Sequence, residues 1–147
     1  MKPSLIVVGV AAVALGGAFL FAVLPGGRID GPSAAPPSNW SFVGPESTCK
    51  LEFHPVEPRS VRVGCYAFGG DLYVHSHRWA LVRRPLGESW AQVVTREPTI
   101  RVGLAGQVYE LEATLISDPQ LRHEVLSARG FDPVPGGIQL FRLRARQ

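Results

Sequence analysis

Lysine is almost missing from this chain of 147 residues: of 15 basic residues only Lys2 and Lys50 are lysines, and the rest are arginines. Arginine is always charged and planar, which suits contact with phosphate, although a compositional preference for arginine produces the same count. Acidic residues number 12 and the net charge is +3, too even and too scattered for the clustered basic face of a nucleic-acid partner. Cysteine is scarce as well. Cys49 and Cys65 stand sixteen apart with no Cys-x-x-Cys or His-x-x-x-His pair, which excludes ordinary zinc spacing. No Gly-x-Ser-x-Gly is present, and neither cysteine has an activating base nearby in sequence, so nothing points to nucleophilic catalysis. Carboxylates are scattered: Glu110 and Glu112 share a strand face, but Arg101 can account for one of them, so glycosidase chemistry is not supported. No internal repeat is visible.

Charge is absent altogether from Leu5 to Leu24, twenty residues with no strongly polar side chain. As a helix this run is roughly 30 Å long, the thickness of a bilayer core. A signal-peptide apolar region is shorter, about 7–15 residues, and Pro25-Gly26-Gly27-Arg28 makes a poor cleavage site. The run is therefore expected to be an uncleaved signal anchor, a single transmembrane helix behind a flank of residues 1–4. Gly9 and Gly16 are seven apart, so the Gly-x-x-x-Gly helix-dimer motif is lacking. Lys2 precedes the run, whereas Arg28 and Asp30 nearly cancel after it. The positive-inside rule then places the N-terminus in the cytoplasm and the domain outside. There, Cys49 and Cys65 either join in a disulfide closing a loop of about fifteen residues, worth about 3 kcal/mol, or remain two buried thiols.

Residues 25–38 are mostly Gly, Pro, Ala and Ser and read as an extended linker. The domain spans 39–147. Its pattern is strands separated by turn signals. Strands are expected over Ser47–His54, Val61–Phe68, Asp71–Ser76, Ile100–Leu104, Gln107–Ile116 and Ile138–Arg144. Ala105-Gly106 makes a two-residue hairpin loop whose register pairs Leu104 with Gln107, Val102 with Tyr109 and Ile100 with Leu111. The other face pairs Arg101 with Glu110, a cross-strand ion pair. Short helices are expected over Glu88–Arg96, stopped before Pro98, and over Asp118–Arg129. The second has Asp118 as N-cap, Pro119 at its first position and Gly130 as its cap, with Leu121, Val125 and Ala128 facing inward. Arg142, Arg144 and Arg146 alternate on the last strand; in a cytoplasmic domain they could touch anionic lipid, and otherwise, the preferred reading, they form a solvated edge that deters aggregation. The fold class is mainly β (α+β): a small antiparallel barrel with two short helices.

From Phe68 to Leu126 the chain resembles the split β-barrel proteins related to pyridoxamine phosphate oxidase, and most of all their deazaflavin-dependent nitroreductase branch. The shared features are Gly70-Asp71 before the strand Leu72-Tyr73-Val74, Trp90 eight residues before Pro98, a hairpin turning at Gly106, Ala113 ending its second strand, and Asp118-Pro119 opening a helix. The resemblance implies a split barrel, a flavin or deazaflavin cofactor, oxidoreductase chemistry, and a homodimer with the ligand at the subunit interface. Two features depart from it. The family's Gly-Arg-x-Ser-Gly phosphate turn is replaced by His54-Pro55-Val56-Glu57-Pro58-Arg59-Ser60, and the Asn three residues after the Trp is Val93. Without those glycines, backbone N–H groups approach a phosphate less readily.

The densest polar group is His75-Ser76-His77-Arg78-Trp79, followed by Arg83-Arg84. Arg59, Ser60, Arg62, His75, Ser76 and Arg78 are the candidate contacts for an anionic heterocyclic cofactor, with Trp90 as its wall. The competing reading of this cluster is a solvated loop of snorkelling arginines. His75 and His77 share a face but lack a third ligand, and no metal is expected. Two functions remain open: a membrane-anchored flavin- or deazaflavin-dependent oxidoreductase, and a non-catalytic interaction module of the cell envelope that kept the barrel and lost the cofactor.

Overall fold

The Ala105-Gly106 loop is where local chemistry decides most. Both residues have positive φ, 51° and 76°, the twist that joins antiparallel strands through two residues. Glycine takes this conformation freely, while at Ala105 it costs about 1 kcal/mol. The loop sets the register of β5 (Thr99–Leu104) against β6 (Gln107–Leu115): Leu104 with Gln107, Val102 with Tyr109, Ile100 with Leu111, as the alternation implies. The computed structural model describes residues 26–54, 56–80 and 87–147. The expected membrane helix, Leu5–Leu24, and the Arg83-Arg84 pair lie outside the described residues. Among the described residues no helix is long and apolar enough to cross a membrane.

Six strands close on themselves. In chain order the elements are β1 (Ser33–Ala34), β2 (Thr48–Phe53), β3 (Arg59–Phe68), β4 (Asp71–His75), α1 (Trp90–Arg96), β5, β6, α2 (Pro119–Arg129) and β7 (Leu140–Ala145). The ring runs β6-β5-β2-β3-β4-β7 and back to β6, every pair antiparallel. Closure removes the sheet edges that a small β protein must otherwise protect. The expectation that Arg142, Arg144 and Arg146 mark an edge is therefore wrong. β7 is held on both sides, by β4 and by β6, and Arg144 instead grips Asp71 at 2.9 Å across the outer face.

The barrel interior is filled by the inward set of each strand, including Leu51, Cys65, Val74, Ile100, Val102, Leu111, Phe141 and Leu143. Helix α1 closes one mouth with Ala91, Val93 and Val94. Ser89 caps it, and the Ser89–Gln92 capping box ties up two backbone N–H groups that no earlier turn can satisfy. A second cluster lies outside the barrel, where α2 covers Tyr66, Tyr73, Ile138 and Leu140 with Val125 and Leu126. Here Leu126, not Ala128, completes the inward face, because the helix turns its Arg122–Val125–Leu126–Arg129 stripe toward the sheet. Asp118, Pro119 and Gly130 cap the helix as their order in the chain implies.

Cys49 and Cys65 are both buried in the barrel core and both free thiols. The neighbouring Cys65 thiol, with burial added, pushes the Cys49 thiol well above the usual range.

Residues 26–34, which belong to the stretch read as a linker, do not hang free. The Gly26 carbonyl accepts from Ser60 N–H at 2.7 Å, and Val108 N–H donates to the Pro32 carbonyl at 2.9 Å. Ser33 and Ala34 then pair in parallel with Val108 and Tyr109 of β6. Ile29 is buried and seats over Gly103, where any side chain would meet its Cγ2 at 3.2 Å. Residues 26–34 thus form a strap across the outside of the barrel.

Candidate functional site

The strap is fixed by a buried carboxylate. Glu52 points outward from β2, yet it is 0 % exposed because the strap lies over it. Its Oε2 accepts from Ile29 N–H at 2.7 Å and from Arg101 Nη1 at 2.9 Å. Arg101 also donates to the Ile29 carbonyl at 3.1 Å. His54 Nε2 stands 3.2 Å from Oε1 without the alignment of a hydrogen bond, so Oε1 has no hydrogen-bonding partner. Arg101 and Glu110 are cross-strand partners as expected, but the ion pair forms with Glu52, which flanks Arg101 on the other side. A buried carboxylate needs its cation far more than an exposed one does.

Between strap and barrel lies an open groove of about 440 Å³, lined by Arg28, Asp30, Lys50, Ser60, Arg62 and the β5–β6 turn. Its volume falls within the range of small-ligand sites, about 300–1,000 Å³. Lys50 and Arg62 face each other directly across β2 and β3. Like charges so placed repel and weaken a sheet. Neither has an ion-pair partner among the described residues, and Arg28 has none either. Arg62 makes only a long contact, 3.5 Å, to the Thr48 hydroxyl. Asp30 is the one carboxylate lining the groove, so three cations stand against one anion.

The residues singled out from the sequence separate into three places. Ser60 and Arg62 line the groove, while Arg59 is exposed at the start of β3 and does not. His75, at the end of β4, lies on the same outer face, over Gly64. A Cβ at Gly64 would stand 3.2 Å from His75 Nε2 and 3.4 Å from Arg129 Nη2. His75 Nδ1–H donates to the Ser76 carbonyl at 3.0 Å, which leaves Nε2 as the unprotonated nitrogen. Its ring meets Phe131 edge-on, with centroids 5.1 Å apart. Ser76 is buried and structural: its hydroxyl donates to the His77 carbonyl and accepts from Gln139 N–H. Arg78 is exposed, and its backbone carbonyl occupies the space a side chain at Gly137 would need. Trp90 opens α1 and packs on Phe141 with centroids 5.6 Å apart; it does not border the groove. Trp79 is 58 % exposed. Arg28 and Lys50 were missed. The Lys50–Arg62 juxtaposition was open to a sequence reading, since it follows from the β2–β3 register, but Arg28 was hidden by taking its segment for a linker.

Burial holds the His75 imidazole below the usual histidine range; the Ser76 carbonyl opposes this and the nearby Arg129 adds to it. The unfolded chain protonates this ring near pH 6.5, the folded chain lower. Between those values the unfolded state holds more protons, so stability is complete at neutral pH and falls on acidification through about 6.5. His75→Gln is expected to shrink the loss in urea midpoint between pH 7.5 and 5.0. An unchanged loss would count against the buried neutral ring.

Among the described residues no three His, Cys, Asp or Glu side chains cluster as a metal site would require. The groove offers cations, hydroxyls and backbone but no aromatic ring. It fits a phosphate group; it does not supply the stacking wall that a flavin ring uses.

No family model and no curated protein matches the chain. Solved structures do. A protein from Listeria innocua named "Putative Pyridoxamine 5′-phosphate oxidase" matches with a TM-score of 0.50 and 16% identity, over 68% of this chain and 84% of that one. A NimC/NimA family protein from Clostridium acetobutylicum gives a TM-score of 0.46 and 17% identity, over 65% of this chain and 71% of that one. A FAD-binding protein from Mesorhizobium loti gives 0.45 and 16%, over 68% and 79%. At this identity the first likeness shows the fold alone: a closed, six-stranded antiparallel split barrel.

Proposed function

We propose that this chain is a membrane-tethered split-barrel module that binds an anionic, phosphate-bearing ligand in the groove under its strap and performs no chemistry of its own. The observation behind this reading is the Lys50–Arg62 pair: two like charges set opposite each other without an ion-pair partner among the described residues. A cost of that kind is retained where a ligand offsets it. The tether is the uncharged run Leu5–Leu24, with the domain on the outer side of the membrane.

The second reading is a flavin- or deazaflavin-dependent oxidoreductase acting as a homodimer. It is favoured by the name of the Listeria innocua protein that shares the fold. The narrower deazaflavin likeness rests on Gly70-Asp71, Trp90, Pro98 and Asp118-Pro119. The scattering of Arg59, His75, Arg78 and Trp90, and the lack of an aromatic lining, favour the first reading.

Titration with inorganic phosphate, flavin mononucleotide and a deazaflavin, followed by calorimetry and absorbance, separates the two. Phosphate and the phosphorylated flavin should bind alike, and Arg62→Ala should weaken both by about tenfold, the loss of one charge-assisted hydrogen bond. Flavin binding that survives Arg62→Ala but fails in Trp90→Ala would transfer support to the oxidoreductase. No binding of any of the three would end the ligand reading.

A further inference from the structure

We infer that the groove's ligand is the headgroup phosphate of an anionic lipid in the bilayer that holds the tether. The inference rests on the tethered, anion-binding function proposed for the chain and goes further by naming where the anion comes from.

The strap supplies the geometry. Only Pro25 separates the end of the apolar run at Leu24 from Gly26, and Gly26 is already hydrogen-bonded to Ser60 of β3. Two extended residues reach at most about 7 Å. The headgroup layer outside the hydrocarbon is itself about 5–8 Å deep on each side. Ser60 therefore lies at the membrane surface whichever leaflet the domain faces. Arg62 is two residues further along the same face of β3, about 7 Å more, and its side chain and that of Lys50 are long enough to reach back toward the headgroups. The field of an anionic leaflet extends about one Debye length, about 8 Å at physiological ionic strength, so Arg28, Lys50 and Arg62 all stand within or beside it. A free fourteen-residue linker would have removed this constraint. The strap, anchored through Ile29, Glu52 and Arg101, imposes it.

A second feature points the same way. Val56 is 96 % exposed in the turn between β2 and β3, four residues from Ser60. That turn is at the end of the barrel where the chain arrives from the tether, so an apolar side chain projects where hydrocarbon is nearest. Cations beside an exposed apolar tip match a lipid surface better than a diffusing phosphate.

The test uses the full chain reconstituted in vesicles of phosphatidylcholine carrying a trace of dansyl-labelled lipid, with energy transfer from tryptophan as the readout. Transfer to dansyl-phosphatidylglycerol should exceed transfer to dansyl-phosphatidylcholine. Each alanine substitution at Arg28, Lys50 or Arg62 should lower the enrichment up to about fivefold, and Arg62→Lys should retain most of it. Equal transfer to the two labels would overturn the inference. If enrichment is absent but inorganic phosphate binds in an Arg62-dependent way, the anion site stands and the lipid source falls. If neither occurs, both readings fall. Recovery of the intact chain in the soluble fraction after expression would remove the tether and the inference with it.

Discussion

Arg101→Met is expected to destabilise the fold by about 3–5 kcal/mol, the cost of leaving a buried carboxylate without its cation. Glu52 is wholly buried and its side chain is sealed under the strap. Without Arg101 it keeps Ile29 N–H, and His54 in a poorly aligned position. The strap also loses the contact from Arg101 to the Ile29 carbonyl. Urea unfolding of the full chain in mild detergent, read by tryptophan emission, measures the loss. The double variant Glu52→Gln/Arg101→Met should recover most of it, because a neutral amide can still accept from Ile29 and no charge remains buried. Limited proteolysis should show residues 26–34 cut first in the single variant. A cost below about 1 kcal/mol would mean that water reaches Glu52 and that the strap is not sealed.

Phe141→Ala is the second large effect, about 3–5 kcal/mol for emptying an aromatic site that the barrel cannot collapse around. Phe141 is fully buried. It lies opposite Val74 on one side and Leu115 on the other, and its ring carries Trp90 of the helix that stops the barrel mouth. The substitution therefore weakens the closing strand and the lid together. Phe141→Leu, nearer in volume, should recover more than half. Thermal unfolding in detergent checks both. If the two variants proved equally mild, β7 would not close the barrel between β4 and β6.

The parts of the fold legible in the chain are those that depend on neighbours in sequence. The β5–β6 register follows from a two-residue loop and strict alternation, and α2 from Asp118, Pro119 and Gly130. What escaped depends on residues far apart. Glu52 and Arg101 are forty-nine positions apart, so Arg101 seemed to belong to Glu110, its partner in the hairpin. The cluster of Tyr66, Tyr73 and Leu126 escaped because the outer face of β3 mixes Arg62 with Tyr66 and reads as solvated until α2 is laid over it. The arginines of β7 looked like an edge because closure of a barrel leaves no local mark. At the candidate site, residue type was legible and place was not. Ser60 and Arg62 line the groove, but His75 serves the packing beneath α2, Ser76 a turn, and Trp90 the lid. Residues 25–38 have the composition of a free segment, and only hydrogen bonds to Ser60, Glu52 and Val108 make a strap of residues 26–34.

The two thiols inside the barrel carry one more consequence. Cys49 and Cys65 are shut away by strands on every side of a closed ring, so a reagent in solution meets them only when the ring itself comes apart. Their rate of alkylation is then a clock for whole-domain opening, one that can be read in a crowded mixture where no spectroscopic signal of this small protein would be visible.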